Sequence, residues 1–155
     1  MSKIRAATAE DTADLQRIAR AAYARYVPLI GREPPPMLQD FPADIADRRV
    51  WVVGTPPEGF IVAGPRGDHW LLENVAIDPA AQGRGLGRAL IAHVEEMARS
   101  TGATSIELYT HAKMTANRAL YPSLGYVEVD QRTEHGLDRV FFRKPLPPDQ
   151  DPAAT

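Results

Sequence analysis

Apolar positions change their period several times along the chain, and each change marks an element. Leu15, Ile18, Ala19 and Ala22 recur every three or four residues, which places them on one face of a helix running to about Tyr26. Thr8-Ala9-Glu10-Asp11 ahead of it has the form of a capping box, and residues 3–7 read as a short first strand. Pro28 is expected to end the helix. Five prolines between 28 and 42 predict an ordered loop, with a short helix near 43–48. Apolar, β-branched runs then predict strands at 49–53 and 60–63, with turns at 54–59 and 64–68. Residues 69–77 (HWLLENVAI) form the longest strand candidate, closed by Asp78-Pro79. Helical spacing returns with Leu86, Leu90, Val94 and Met97 and stops at Thr101-Gly102. Residues 105–110 alternate as a strand, 114–124 read as a short helix ended by Gly125, and two last strands are expected near 126–132 and 138–144. Early antiparallel hairpins followed by a strand–helix–strand crossover make an α/β chain. One domain over 1–146 is expected, with a disordered tail at 147–155.

Composition narrows the chemistry. The chain has 155 residues, 44% hydrophobic and 25% charged, the make-up of a globular domain. Its 18 basic and 20 acidic residues give a formal charge of -2, with no basic clustering of the kind that marks a nucleic-acid footprint. There is no cysteine, so disulfides, thiolate metal sites and a cysteine nucleophile are excluded. His69, His93, His111 and His135 are scattered, without metal-ligand spacing, so no metal is expected. No apolar stretch has the length of a membrane span and the first residues carry no signal core, which reads as a cytoplasmic protein with no membrane partner.

The densest chemical signal is Gln82-Gly83-Arg84-Gly85-Leu86-Gly87, between a strand and a helix. Glycine lets backbone N–H groups approach a ligand without an intervening Cβ. The first amides of a helix lack internal partners and, with the helix dipole, form an anion site. Arg84 and Arg88 add charge there. A P-loop needs Lys-Ser/Thr after its last glycine, but Arg88-Ala89 follows; a dinucleotide fingerprint needs a glycine three residues after Gly85, where Arg88 stands. On the glycines alone, a flexible glycine-rich helix start is the other reading.

The wider pattern resembles the GNAT superfamily of acyl-CoA-dependent N-acetyltransferases. Their Gln/Arg-x-x-Gly-x-Gly/Ala signature is met by Gln82 to Gly87 after ENVAIDPAA, and a second signature segment by Asn117-Arg118-Ala119-Leu120-Tyr121-Pro122-Ser123-Leu124-Gly125-Tyr126. The resemblance covers the element order from about residue 3 to 146 and is most specific from 71 to 126. It implies a mixed, mostly antiparallel central sheet of about 6–7 strands, helices on both faces and a splayed pair of central strands. It implies acetyl-CoA as co-substrate, its pantetheine arm along the backbone of Val75, Ala76 and Ile77, and its pyrophosphate on Gln82, Gly83, Arg84, Gly85, Leu86, Gly87 and Arg88. The same resemblance puts Asn117 on the cofactor and the Tyr121 hydroxyl at the thioester sulfur. A phenol of pKa ~10 can protonate a departing thiolate; the alternative is a tyrosine packed in the core.

An amine of pKa ~10.4 is only about 0.1% neutral at pH 7.4, so a general base is useful. Glu73 is the candidate, placed by the two-residue period on one face with Leu71, Val75 and Ile77, where apolar surroundings raise a carboxyl pKa. A solvated, inert glutamate at the sheet's edge is the other reading. Glu107, His111 and Glu134 are further base candidates. The expected reaction is direct attack by a primary amine, with a strand N–H stabilising the oxyanion. Tyr23, Tyr26 and Phe41 are read as packing residues that also stand near the acceptor side. ELYTHAKMTAN departs from the E-V-R-x-S-N run of members that acetylate ribosomal proteins, which favours a small or amino-acid-like acceptor. A protein or peptide amine, a non-catalytic acyl-CoA-binding module and a nucleotide-dependent enzyme are the rivals. A monomer or homodimer is expected.

Overall fold

A computed structural model describes residues 3–148. Seven strands form one sheet: β1 (Ile4–Ala6), β2 (Val50–Val53), β3 (Gly59–Arg66), β4 (His69–Ile77), β5 (Ser105–His111), β6 (Val127–Glu134) and β7 (Leu137–Pro145). Their spatial order is β1-β2-β3-β4-β5-β7-β6. Every neighbouring pair is antiparallel except β4 and β5, which run parallel because a helix crosses between them. The sheet is mixed and mostly antiparallel, as expected.

Helices cover both faces. The α1 helix (Thr12–Tyr23) sits with two short helices, α2 (Val27–Ile30) and α3 (Phe41–Ala46), on one side. Leu15, Ile18, Ala19 and Tyr23 bury the apolar stripe of α1 against Val50, Val52, Phe60 and Val62. On the other side, α4 (Leu86–Ser100) buries Leu90, Ile91, Val94 and Ala98 against Trp51, Ile61, Trp70 and Ile106. The fifth helix, α5 (Thr115–Ser123), contributes Tyr121 to that second core. Strands β2 and β3 are apolar on both faces because both are covered; burial of each large side chain is worth roughly 1.5–3 kcal/mol.

Three boundaries differ from the sequence expectation, each for a local reason. Pro28 does not end the first helical region; a 3₁₀ turn at Ala24–Tyr26 leads into α2, where Pro28 occupies the first turn and its missing N–H costs nothing. The stop is Gly31, whose φ of 88° is left-handed. Residues 64–66 belong to β3 rather than to a turn, since Gly64, Pro65 and Arg66 pair with Leu71, Trp70 and His69. The expected capping acid works, Thr8 N–H donating to Asp11 Oδ2 at 2.8 Å, but it opens a 3₁₀ turn before α1. The tail expectation from residue 149 onward lies outside the described residues.

The feature that matters most for the site is a β-bulge. Across β3 and β4, Val62 pairs with Asn74 and Ala63 with Leu72, so Glu73 is the extra residue. A bulge shifts the inward–outward alternation by one. Trp70 and Leu72 therefore lie in the α4 core, whereas beyond the bulge Ala76 lies in the α1 core and Val75 and Ile77 turn to the α4 side. This corrects the two-residue face expected for Leu71, Glu73, Val75 and Ile77. Strict alternation does not survive an inserted residue.

Candidate functional site

Strands β4 and β5 pair only from Trp70–Leu72 to Ile106–Leu108. Beyond that short ladder they part, and among the described residues the edge of β4 from 73 to 77 has no neighbour strand on that side. Two cavities fill the opening. The larger, about 320 Å³, lies over the splay between the proline loop, β4, β5, α5 and β7. The smaller, about 180 Å³, runs between α1, β4 and the start of α4. Tyr23, Val75 and Asn117 line both, so the two meet at the point of divergence.

The smaller cavity gathers Val75, Ala76, Ile77, Gln82, Gly87 and Asn117 from the expected cofactor set. Gly83, Arg84, Gly85, Leu86 and Arg88 lie outside its lining. Gly83 and Gly85 have φ of 83° and 76°, which only glycine adopts without strain, and a Cβ on either would meet no protein atom within 4 Å. The loop thus faces open space. The first bond of α4 is Ala89 N–H to Gly85 O at 3.1 Å, so the amides of residues 86–88 are the orphan donors of a helix start. Bare N–H groups, left-handed glycines and an adjoining apolar groove fit a pyrophosphate with a long thin arm. Leu86 packs its side chain on the core, leaving only its backbone for a ligand. Arg84 is paired with Glu58 at 2.7 Å, and Arg88 donates to Ser123 Oγ at 3.3 Å, so the charge expected from Arg84 is partly offset.

Asn117 and Tyr121 stand one helical turn apart on α5, and both line the larger cavity. Asn117 Nδ2 donates to Thr110 Oγ1 at 3.3 Å. The Tyr121 ring packs edge-on to Tyr126 and tilted against Phe142. Among the described residues its hydroxyl has no hydrogen-bond partner, although the residue is buried. Burial pushes the phenol above its ordinary pKa of 10, so it stays a proton donor through neutral pH.

Glu73 lines the larger cavity, but its surroundings are not the apolar ones expected. The bulge turns it toward arginines. Its Oε1 accepts from Arg49 and, at 2.9 Å, from Arg66. Its Oε2 has only a long contact of 3.4 Å from Gln39 Nε2. Glu73 therefore sits among cationic rather than apolar neighbours. Glu107 and Glu134 are absent from the cavity lining; Glu107 pairs with His69, and Glu134 with Arg132 and Arg139. His111 does line the cavity. Burial first, then Lys113, Arg139 and Arg32, lower its pKa below the ordinary 6.5, against an opposing Asp138. Its Nδ1 accepts the Lys113 N–H at 3.0 Å, so the neutral ring carries its proton on Nε2. In that tautomer it is a donor and not a base.

Sequence reasoning missed Asn74. It is buried, with Oδ1 accepting from Tyr23 Oη at 2.8 Å and Nδ2 donating to Pro36 O at 3.0 Å and Gln39 Oε1 at 3.1 Å. Tyr23 Oη also approaches Val75 O at 3.0 Å. These contacts fasten α1 and the proline loop to β4 at the splay. The only signal was a second polar residue next to Glu73 inside a mostly apolar strand, and the bulge hid which face it took. Tyr26 and Phe41 pack in the α1 core as read, while Tyr23 packs and lines both cavities.

Comparison with known proteins follows the same lines. The acetyltransferase (GNAT) family model matches residues 13–126. A mycothiol acetyltransferase of Beutenbergia cavernae is 31% identical over 93 residues, 57% of this chain and 31% of that protein. A ribosomal protein bS18 alanine N-acetyltransferase of Escherichia coli is 38% identical over 68 residues, 44% of this chain and 46% of that protein. The matched stretches thus span about a third to a half of those relatives. In fold, the crystal structure of the Escherichia coli ribosomal-protein alanine N-acetyltransferase matches with a TM-score of 0.79 at 23% identity, covering 98% of each chain. The PaiA N-acetyltransferase of Thermoplasma acidophilum, in complex with coenzyme A, matches with a TM-score of 0.78 at 17% identity, covering 94% of this chain and 99% of that one. The chain belongs to the GNAT acetyltransferase family.

Proposed function

We propose that this chain is an N-acetyltransferase that moves an acetyl group from acetyl-CoA to a primary amine of a small acceptor by direct attack. The observation that carries this reading is the meeting of the two cavities at Val75 and Asn117, with the unpartnered Tyr121 hydroxyl beside them. The smaller cavity leads to the glycine loop and holds the donor; the larger holds the acceptor. Bound acetyl-CoA supplies an acyl thioester, activated toward amines.

The chain's own residues do the rest. The amides of residues 86–88 bind the pyrophosphate, and the free edge of β4 from Val75 to Ile77 binds the pantetheine arm as an added strand would. An N–H of that edge donates to the carbonyl oxygen where negative charge develops. Asn117 orients the donor where the cavities meet. Tyr121 gives its proton to the sulfur as it departs. Glu73 receives the amine proton on Oε2, the oxygen not committed to arginine, directly or through one water.

A small acceptor is favoured over an extended peptide by exposed ties between residues adjoining the cavity lining. Arg32 donates to His135 O at 2.6 Å and Lys113 to Leu29 O at 2.7 Å, tying the α2 region to the β6–β7 turn and to the end of β5. These ties hold the segments beside the cavity together and narrow the approach for an extended chain.

The test is thiol release from acetyl-CoA across a panel of amines, amino acids and short peptides, with other acyl-CoA donors included. Turnover with small amines above the peptide rate is expected. Binding of NAD or ATP in calorimetry, with no binding of CoA, overturns the reading.

A further inference from the structure

The acceptor cavity holds a cation that the proposed chemistry does not use. Arg139, on β7, lines it with its side chain only 14% exposed. Its guanidinium carbon stands 4.6 Å from the centre of the Tyr109 ring, and Tyr109 lines the same cavity. Stacking on a ring occupies the face of a guanidinium and leaves its N–H edge for a partner. Of five N–H donors, one has a long contact of 3.4 Å to Glu134, which also pairs with Arg132. Arg66, the other cationic guanidinium of the lining, is already paired with Glu73. Beside Arg139, across the β5–β7 register, stands His111, whose neutral tautomer presents an Nε2–H without a partner among the described residues.

A guanidinium edge held only by the long contact to Glu134, and a neighbouring N–H donor, match the planar geometry of a carboxylate. We propose that the acceptor is an amine that also carries a carboxylate, an amino acid or a close analogue, and that Arg139 with His111 holds that carboxylate while the amine lies at the splay. This rests on the acetyltransferase reading and names the class of its acceptor. Arg139 and His111 act on specificity and not on bond making.

The test compares wild type with Arg139→Lys and Arg139→Ala in the thiol-release assay. The acceptors are free L-amino acids, their primary amides, their decarboxylated amines and their phosphonate analogues. Wild type is expected to use the free amino acids at least tenfold better in kcat/KM than the matching amides. Arg139→Ala is expected to remove most of that preference by raising KM for the free amino acids, with affinity for acetyl-CoA unchanged. Arg139→Lys, which keeps charge but loses the fork, is expected to fall between. Equal use of acids and amides by wild type, a preference for phosphonates, or an unchanged preference in Arg139→Ala overturns the inference while leaving the transferase reading intact. Thiol release with none of the amines, together with no binding of CoA, overturns both.

Discussion

The groove proposed for the donor and the cavity proposed for the acceptor share Tyr23, Val75 and Asn117 but are built by different means. The donor side offers main-chain groups from residues 75–88, namely the bare edge of β4, left-handed glycines and the first amides of α4, walled by side chains from α1, the turn after it and α5. The acceptor side is assembled from side chains on α1, the proline loop, β4, β5, α5 and β7, segments spread from Tyr23 to Arg139. Backbone recognition asks little of side-chain identity beyond small residues at tight places. Side-chain recognition depends on each residue and on the contacts that fix its rotamer.

That contrast can be broken by experiment. The largest effect is expected for Tyr121→Phe, which should lower kcat by about a hundredfold, roughly 2.7 kcal/mol of barrier. Acetyl-CoA affinity in calorimetry should move by less than about twofold, because the hydroxyl is asked to act only as sulfur departs. An unchanged kcat removes the acid role.

Gly85→Ala comes next. Holding a non-glycine residue in the left-handed region costs about 1–2 kcal/mol, so affinity for acetyl-CoA should fall roughly tenfold. The acceptor KM at saturating acetyl-CoA should stay the same. A shift confined to the acceptor KM would contradict the division between the two sides.

Tyr23→Phe probes where the sides join. It leaves Asn74 Oδ1 without the 2.8 Å bond from the phenol, a loss of about 1–3 kcal/mol for a buried polar atom. A fall in Tm of several degrees is expected by calorimetry, with the KM of both substrates raised, because Tyr23 lines both cavities. An effect on one substrate alone would show that the junction is not shared.

The smallest expected change is with pH. Burial raises the Tyr121 pKa above 10, so its donor form is complete below that value and is lost only as pH rises past it. Turnover at saturating substrates should show no tyrosine-linked decline between pH 7 and 9.5. A decline in wild type that vanishes in Tyr121→Phe would contradict the buried, protonated phenol.

Much of this molecule was legible before its structure. Periodicity located α1, β4, α4 and β5, because an amphipathic stripe or a buried strand writes its period into consecutive residues. The glycine loop was legible for the same reason: its chemistry depends on neighbours in sequence and on a turn only glycine makes. Pro28 misled because a proline in the first turn of a new helix has the same one-letter code as one that ends the old helix.

The sequence by itself determined the strand, the glycine turn and the helix start proposed to hold the donor, all within fourteen residues or so of one another. Only the tertiary structure decided the acceptor side. A one-residue bulge at Glu73 turned that carboxylate to Arg49 and Arg66 and sent Asn74 to Tyr23. The β5–β7 register brought Arg139 beside His111, and the tautomer of that imidazole follows from a backbone N–H two residues away. Such contacts join segments far apart in the chain. Their energies depend on distance and burial, which no local pattern of residues encodes.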